Sequence, residues 1–370
     1  MRIAEIDTFM LRGHGKQGAY GAPYGVLVRV TTDTGIVGYG ESDSMPNVVK
    51  AIIEAPFLHE MMSGLKWVLL DQNPLEIDDL WTRMARATLN YSRDGASLAA
   101  MAAIDLALWD IKGKALQLPV YELLGGARRR EVRCYATHPL GTTLAETHRL
   151  ARSLCDAGFS AVKFGWHPLG PNSQRDDAIV RTLRDAIGPE RDLLIDGGLA
   201  WDVETTRTRL KHFERYRLFW LEEPLAPYDF QGYAALAASG ITPIAAGELA
   251  SSTLELTRLV EEKCVNVLQV DVSRVGLTQA MKVAAFAASR RIPCVNHSYN
   301  YGINLAASLH FALAIELTSL FEVPMTPNEI RNALVPNAPA PHRGILTPSQ
   351  EPGFGIKIDE AALDRFTIAN

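Results

Sequence analysis

The sequence of 370 residues predicts an α/β protein: a (β/α)7β barrel of the TIM type behind an N-terminal α+β capping domain. After Gly125 and Gly126, short apolar runs alternate with amphipathic stretches, giving eight strands with seven helices between them. Parallel strands joined by helical crossovers produce this alternation. Before the glycines the pattern is a hairpin followed by helices. The predicted units are residues 1–125, the capping domain, 126–323, the barrel, and 324–370, a segment that returns to the capping domain.

The capping domain begins with strands predicted at 3–11, 24–31 and 36–39, the last two joined by a turn that contains Gly35. Glycine at such a position is typical of a hairpin turn. The intervening loop, 12–23, is rich in glycine and is a candidate lid. From about residue 48 the pattern is helical.

The strongest predicted helix covers residues 97–118 and ends before Pro119. Asp105 lies on its apolar face, beside Trp109. Because buried polar groups are usually satisfied by hydrogen bonds, we interpret this carboxylate as structural and not catalytic.

The predicted barrel strands are VRCYA from 132, FSAVKF from 159, DLLID from 192, RLFWLEE from 217, PIAAGE from 243, VNVLQVD from 265, IPCVNH from 292 and LFEV from 320. The predicted helices between them cover 143–157, 174–187, 202–215, 229–239, 252–262, 277–290 and 302–316. One helix therefore separates each pair of successive strands.

Composition argues against several classes of partner. The chain has 37 basic and 42 acidic residues without a basic stripe, which disfavours nucleic-acid binding. No apolar run has membrane length, and the N-terminus lacks the pattern of a signal peptide. We therefore predict a cytoplasmic protein that binds small molecules. Four cysteines in apolar segments are predicted to be buried free thiols: Cys134, Cys155, Cys264 and Cys294.

Three carboxylates, Asp196, Glu222 and Glu248, are each 26 residues from the next and each follows an apolar run. Such spacing brings one acid from each of three successive β/α units to the carboxyl-terminal rim of a barrel, where chemistry occurs. Carboxylate oxygens suit a hard divalent cation. The three residues are therefore predicted to hold Mg²⁺.

Four more strand ends carry a group that can move a proton or bind an anion: Lys163, Asp271, His297 and Glu322. Each has a structural alternative, because polar residues at strand ends are also caps and loop anchors. Glu223 follows Glu222 and, by strand alternation, points to the opposite side, so we interpret it as a supporting residue.

These motifs together resemble the enolase superfamily, and within it the mandelate racemase subgroup. The resemblance covers the whole chain and rests on the hairpin, on AAIDLALWDIKGKALQLPVYELLGG from 102, on WLEEP and GE, and on the terminal PGFGI. It implies the capping domain, the barrel and a Mg²⁺ ion on Asp196, Glu222 and Glu248. It further implies a base, His297, that is oriented by Asp271, and makes a homo-oligomer plausible. Glu322 would face the carboxylate of a small-molecule substrate.

One departure from the family changes the predicted reaction. Many members carry Lys-x-Lys after the second barrel strand, but here Lys163 is followed by Phe164 and Gly165, which cannot move a proton. Two opposed bases are therefore not evident, which favours one-base elimination over racemisation. Lys163 would either assist the leaving group or, as we favour, anchor the substrate carboxylate.

The leading prediction is a Mg²⁺-dependent hydro-lyase that dehydrates an aldonate or aldarate to a 2-keto-3-deoxy acid. The alternatives are a racemase, an epimerase or a lactone cycloisomerase of the same superfamily, and more remotely a carboxylate-binding protein without activity. His167 is a candidate substitute acid, with a structural loop residue as its alternative. Position alone suggests the following residues for substrate recognition or the lid: His138, Tyr20, Tyr24, Arg93, Trp166, His167 and Asn300.

Overall fold

The computed structural model describes residues 1–13, 24–166, 169–299 and 301–368. Its strands are β1 Ile3–Arg12, β2 Tyr24–Thr32, β3 Val37–Ser42, β4 Val132–Pro139, β5 Ala161–Gly165, β6 Asp192–Asp196, β7 Leu218–Glu222, β8 Ile244–Ala246, β9 Val267–Val270, β10 Cys294–Asn296, β11 Phe321–Pro324 and β12 Ile345–Leu346. Its helices are α1 Pro46–Glu54, α2 Leu65–Leu69, α3 Ile77–Ala87, α4 Ala96–Leu116, α5 Val120–Leu123, α6 Leu144–Asp156, α7 Ser173–Ile187, α8 Val203–Phe213, α9 Phe230–Ala237, α10 Thr253–Glu261, α11 Val272–Val275, α12 Leu277–Ser289, α13 Ile303–Ala314, α14 Glu329–Leu334 and α15 Glu360–Phe366. A 3₁₀ turn, Glu214–Tyr216, follows α8.

The capping domain is an antiparallel sheet, in the order β1-β2-β3, packed against α4. The close approach of β3 to α4 requires glycine, since a Cβ atom at Gly40 would lie 1.8 Å from the carbonyl oxygen of Ala103. The predicted hairpin is confirmed. Helix α4 ends at Leu116, two residues earlier than predicted, because Gln117 adopts a left-handed conformation with φ of 55°.

The barrel strands are parallel and lie in the order β10-β9-β8-β7-β6-β5-β4-β11, with β12 added antiparallel to β4. The seam between β10 and β11 is bridged by one side chain. The amide oxygen of Asn296 accepts a hydrogen bond from the backbone N–H of Glu322 at 2.8 Å, and its nitrogen donates to the carbonyl of Glu322 at 3.2 Å. An eight-stranded, nearly closed parallel barrel with a separate antiparallel domain confirms the predicted fold class.

Five barrel helices begin with a polar residue that caps its own helix. In each, the side chain accepts a hydrogen bond from the backbone N–H three residues later, which satisfies one of the free donors at a helix N-terminus. The caps of α6 to α10 are Thr143, Asn172, Asp202, Asp229 and Ser252.

The last two long barrel helices, α12 and α13, follow glycines and are capped by the capping domain instead. Asp105 of α4 accepts hydrogen bonds from the backbone N–H and the hydroxyl of Thr278, at 2.9 and 2.5 Å. Glu41 of β3 accepts from the N–H groups of Tyr301 and Asn304, at 3.1 and 2.9 Å. The structural interpretation of Asp105 is confirmed. The two buried carboxylates join the domains beside the mouth of the barrel.

Glu41 predicts a pH-dependent contribution to stability. It is fully buried, and burial raises its pKa to about 8. The unfolded chain, with a pKa near ~4.3, binds this proton less tightly, so the contribution is greatest below that value and is lost as the pH rises through the folded pKa. Between about pH 5 and about pH 9 the wild type is therefore expected to lose stability relative to a Glu41→Gln variant, on the order of a few kcal/mol. The measurement is the difference between the melting temperatures of the two proteins as a function of pH. A difference that is constant across this range would contradict the assignment.

The C-terminal segment packs on the capping domain, since the N–H of Ile368 donates to the carbonyl of Met10 at 2.8 Å. The four cysteines are buried and free, as predicted. No helix in the described parts of the chain is long and apolar enough to cross a membrane.

Candidate active site

A cavity of about 200 Å³ opens at the carboxyl ends of the barrel strands, below the capping domain. Six of the strand-end residues singled out in the sequence line it: Lys163, Gly165, Asp196, Glu248, His297 and Glu322. Four further lining residues with polar side chains were not identified from the sequence: Asp43, Thr137, Arg274 and Tyr299. Arg274 and Tyr299 stand three and two residues after Asp271 and His297, which was the available signal.

The three carboxylates predicted to hold a metal end neighbouring strands. Asp196 is the last residue of β6, Glu222 is the last of β7, and Glu248 follows β8 by two residues. All three are at most 5% exposed. The N–H of Gly198 donates to Asp196 at 2.8 Å, and the indole of Trp220 donates to Glu222 at 3.0 Å. These donors fix one carboxylate oxygen of Asp196 and one of Glu222.

The side chain of Glu223 supports the third carboxylate, Glu248, by binding the backbone on either side of it. Glu223 is buried, with an unusual φ of 33°, and one carboxylate oxygen accepts from the N–H groups of Gly247 and Leu249 at 3.1 and 3.4 Å. These two residues flank Glu248. Glu223 therefore fixes the loop that presents Glu248, and its interpretation as a supporting residue is confirmed.

The electrostatics of this group fit a divalent cation. Burial, and next the charge of Glu222, raise the pKa of Asp196 to about 8, and burial raises the pKa of Glu248 well above its usual range. One oxygen of Glu248 is buried without a hydrogen-bond partner among the described residues. Buried carboxylates that repel one another are stabilised by a cation, and an unpartnered carboxylate oxygen is a ready ligand. The donor set therefore fits Mg²⁺.

Lys163 lies on the floor of the same cavity. Its ammonium contacts a carboxylate oxygen of Glu222, and lies 2.8 Å from an oxygen of Glu322. Burial lowers the pKa of Lys163, but the charges of Glu222 and Glu322 more than offset this and raise it well above its usual value. The other oxygen of Glu322 accepts from the N–H of Ser298 at 3.0 Å. Lys163 is therefore held as a positive charge between two buried carboxylates.

His297 and Asp271 form a buried pair at the ends of the neighbouring strands β10 and β9. The Nδ1 atom of His297 lies 2.6 Å from a carboxylate oxygen of Asp271, and its Nε2 atom lies 3.7 Å from Glu248. Burial lowers the pKa of His297, but Glu248 and the hydrogen bond with Asp271 outweigh burial and raise it well above its usual value. A histidine held this way presents Nε2 to the cavity and has its protonated form stabilised.

Within the described residues, one group of acidic and histidine side chains brings its potential ligand atoms within 4.8 Å of one another. The group consists of Asp43, Asp271 and His297. These atoms already have partners. Asp271 and His297 share a hydrogen bond, and Asp43 accepts from the guanidinium of Arg274 at 2.7 Å. We therefore interpret this group as a hydrogen-bonded charge network and not as a cage for a cation.

Asn304, which sequence reasoning missed, connects this network to Glu322. Its amide nitrogen donates to Asp271 at 2.8 Å and to the hydroxyl of Ser273 at 2.9 Å. Its oxygen accepts from the hydroxyls of Ser298 and Ser308, at 3.0 and 2.8 Å. All the hydrogen-bonding capacity of this buried amide is therefore used. The orientation of Asp271 is fixed from α13, the helix that Glu41 caps.

Gly165 occupies the position where many family members have a second lysine, and packing explains the glycine. A Cβ atom at this position would lie 2.3 Å from both the Cβ and the carbonyl oxygen of Asp196. A side chain therefore cannot be added here unless Asp196 moves.

A Gly165→Ala variant is expected to lose Mg²⁺ affinity and ~1–3 kcal/mol of stability, because overpacking displaces Asp196. Calorimetric titration with Mg²⁺ and thermal unfolding measure the two effects. Gly170→Ala is the matched control, since a Cβ atom there meets no atom within 4 Å. Unchanged Mg²⁺ affinity in the Gly165→Ala variant would contradict the proposed contact.

The candidate substrate residues have mixed outcomes. His138 and Trp166 line the cavity. Tyr24 does not, because it begins β2 in the capping domain and its hydroxyl donates to the side chain of Asn47 at 2.7 Å. Arg93 also lies outside the lining. Three candidates, and most of the proposed lid, lie outside the described residues: Tyr20, His167 and Asn300.

Comparison with known protein families decides the assignment of this barrel. The family described as "Enolase C-terminal domain-like" matches residues 146–362, and "Mandelate racemase / muconate lactonizing enzyme, N-terminal domain" matches residues 17–125. The chain belongs to the enolase superfamily. It is an enzyme of the mandelate racemase/muconate lactonizing enzyme type, as the sequence motifs predicted.

Individual relatives carry isomerase names. D-galactarolactone cycloisomerase of Agrobacterium fabrum is 29% identical over 359 residues, covering 93% of this chain and 91% of the relative. The structure of 3,6-anhydro-D-galactonate cycloisomerase from Zobellia galactanivorans superposes with a TM-score of 0.91 at 28% identity, over the full length of both chains. A racemase from Streptomyces coelicolor with bound magnesium shares the fold, with a TM-score of 0.88 at 23% identity, covering 99% of this chain and 100% of that one.

Proposed function

We propose that this enolase-superfamily enzyme catalyses β-elimination on an acid sugar, taking the proton α to a carboxylate and expelling an oxygen from the β-carbon. The observation that carries the proposal is that His297 is the one histidine among the described cavity-lining residues that is paired with Asp271. Gly165, which also lines the cavity, stands where many family members have a second lysine. Racemisation needs a proton donor on each face of the carbon, whereas elimination needs one base.

Mg²⁺ on Asp196, Glu222 and Glu248 is part of the proposal. When bound, the ion supplies Lewis-acid stabilisation of the negative charge that develops on the substrate carboxylate. The chain supplies the remaining charge. Lys163, fixed by Glu222 and Glu322, adds a positive charge beside the same carboxylate, which supports an anchoring role over an acid/base role.

The proposed steps need only described side chains for proton transfer. The Nε2 atom of His297 takes the α-proton, and Asp271 stabilises the imidazolium that forms. The C–O bond at the β-carbon then breaks, and its electron pair leaves with oxygen. With a hydroxyl leaving group, the imidazolium returns its proton to that oxygen, water departs and the enol tautomerises to a 2-keto-3-deoxy acid. This is the dehydration of an aldonate or aldarate.

A second candidate reaction is ring opening of a cyclic acid sugar, the isomerase alternative. Two relatives, similar over more than nine tenths of this chain, are named as cycloisomerases of a lactone and of an anhydro sugar acid. The chemistry also favours it, because a lactone ring oxygen at the β-carbon leaves as a carboxylate, whose conjugate acid has a pKa near ~4. Such a leaving group needs no proton. This suits a cavity in which Lys163 is already paired with two carboxylates.

The test is a panel of aldonates and aldarates, their 1,4-lactones and their anhydro derivatives, incubated with the protein and Mg²⁺. The expected product is a 2-keto-3-deoxy acid, detected as its semicarbazone. Mass spectrometry separates the candidates, since dehydration removes one water and ring opening leaves the mass of the cyclic acid unchanged. Exchange of the α-proton in D₂O without any keto acid would instead indicate a racemase or epimerase. Neither exchange nor product across the panel would favour a binding protein without activity.

A further inference from the structure

An ion pair between the two domains forms part of the cavity wall. Asp43 follows β3 in the capping domain, and Arg274 lies in α11, directly after Asp271. The Nε and Nη2 atoms of Arg274 lie 2.7 and 2.6 Å from the same oxygen, Oδ2, of Asp43. Both side chains line the cavity.

The pair keeps a free acceptor and a free donor. Both contacts with Arg274 use Oδ2 of Asp43, and no described residue donates to its Oδ1 atom or accepts from Nη1 of Arg274. These two atoms are also not among the side-chain atoms that are both fully buried and unpartnered in the described part of the chain. The side chains are 26% and 24% exposed. Unlike the buried pairs around Lys163, this one has unused hydrogen-bonding capacity that a ligand can reach.

The pair also lies beside the proposed base. A carboxylate oxygen of Asp43 lies within 4.8 Å of a ring nitrogen of His297 and of an oxygen of Asp271. Asp43 and His297 line the same cavity, so a substrate bound with its α-carbon at His297 has Asp43 within reach of the hydroxyls on its next carbons. A hydroxyl both donates and accepts, and can satisfy Oδ1 and Nη1 together.

We propose that Asp43 and Arg274 form a hydroxyl-binding subsite that recognises the polyol chain of the substrate beyond its α-carbon. The inference rests on the proposed function, because it assumes that the acid has its α-carbon at His297. The subsite selects polyhydroxylated acids over acids of the same length without hydroxyls. Asp43 reaches the site from the capping domain, so substrate selection depends on contacts from both domains.

The alternative role is a clamp that only holds the domains together, and the chain offers a matched control for it. Lys282 of α12 and Asp78 of α3 also pair across the domain boundary, at 2.9 Å, and neither lines the cavity. Asp78→Ala thus removes an interdomain ion pair without touching the subsite. Asp43→Asn keeps an oxygen acceptor and is the conservative variant.

The test compares galactarate with adipate, and gluconate with hexanoate, which differ in hydroxyls and not in carbon number. Binding is measured by calorimetry with Mg²⁺ in a His297→Asn background, which prevents turnover. We expect galactarate to bind more tightly than adipate, and gluconate more tightly than hexanoate. Asp43→Ala should weaken polyol binding ~10- to 100-fold, as expected for a lost hydrogen bond to a charged group, and change binding of the matched acid less than ~2-fold. Asp43→Asn should fall between the two.

Equal weakening of both members of a pair by Asp43→Ala, or the same loss in Asp78→Ala, would indicate a clamp and overturn the inference. A parent protein that binds galactarate no better than adipate, and gluconate no better than hexanoate, would overturn it as well. The proposed function fails separately, if the panel yields no keto acid while the hydroxyl preference and its loss in Asp43→Ala persist.

Discussion

Replacing His297 by asparagine is expected to lower kcat by ~10²- to 10⁴-fold, the usual contribution of a general base. His297 lines the cavity, and the glycine at position 165 supplies no second base there. Asparagine cannot accept the α-proton, but it preserves a polar side chain beside Asp271. The measurements are the rate of keto-acid formation and the rate of α-proton exchange in D₂O, which should both fall. Mg²⁺ affinity is measured beside them, and we expect it to change little.

His138→Asn is the matched control for that experiment. His138 also lines the cavity, but its Nδ1 atom is 2.8 Å from the carbonyl oxygen of Pro139 and it has no carboxylate partner among the described residues. A loss in the His138 variant that equals the loss at His297, or exchange at the wild-type rate in His297→Asn, would remove His297 from the proposed role.

The second large effect is expected at Glu248. A Glu248→Gln variant should lose Mg²⁺ affinity by more than ~10- to 100-fold, the cost of changing even the supporting residues of a metal site, and should lose activity in proportion. The free protein should become more thermostable, because a neutral amide replaces a buried carboxyl whose pKa burial raises well above its usual range. Calorimetry with Mg²⁺, and melting in EDTA, measure the two changes.

Loss of Mg²⁺ affinity with higher thermal stability separates a ligand from a structural residue, because unfolding would lower both. Glu261→Gln, at the exposed end of α10, is the control and should change neither. Full Mg²⁺ affinity in Glu248→Gln would remove this residue from the proposed metal site.

The architecture could be predicted because it depends on local signals. Period-two and helical patterns identify strands and helices from neighbouring residues, and the alternation of the two identifies a parallel barrel. In a barrel the carboxyl-terminal strand ends converge, so Asp196, Glu248 and His297 could be predicted to share one cavity without any tertiary information.

The remaining features depend on contacts between segments far apart in sequence. Asp43 reaches the cavity only through the packing of the capping domain, and Asn304 reaches Asp271 only because α13 packs against β10 and β11. The side chain of Asn296 bonds the backbone of β11 where a ladder of backbone hydrogen bonds would otherwise run. The periodicity of the sequence does not indicate such a bond. Helix α11 is one turn long, too short for a periodic signal. The hydrogen bond of Tyr24 with Asn47 likewise joins residues far apart in sequence, and no local pattern indicates it.

The central claim is that Mg²⁺ and one base, His297, drive elimination on an acid sugar. The most direct test follows the best substrate of the panel by ¹H NMR in D₂O, with metal-free wild type, Mg²⁺-loaded wild type and Mg²⁺-loaded His297→Asn. The account predicts that a 2-keto-3-deoxy acid with solvent deuterium at its C3 position forms only in the loaded wild type. Product that forms equally without Mg²⁺, or at the same rate without His297, would contradict it.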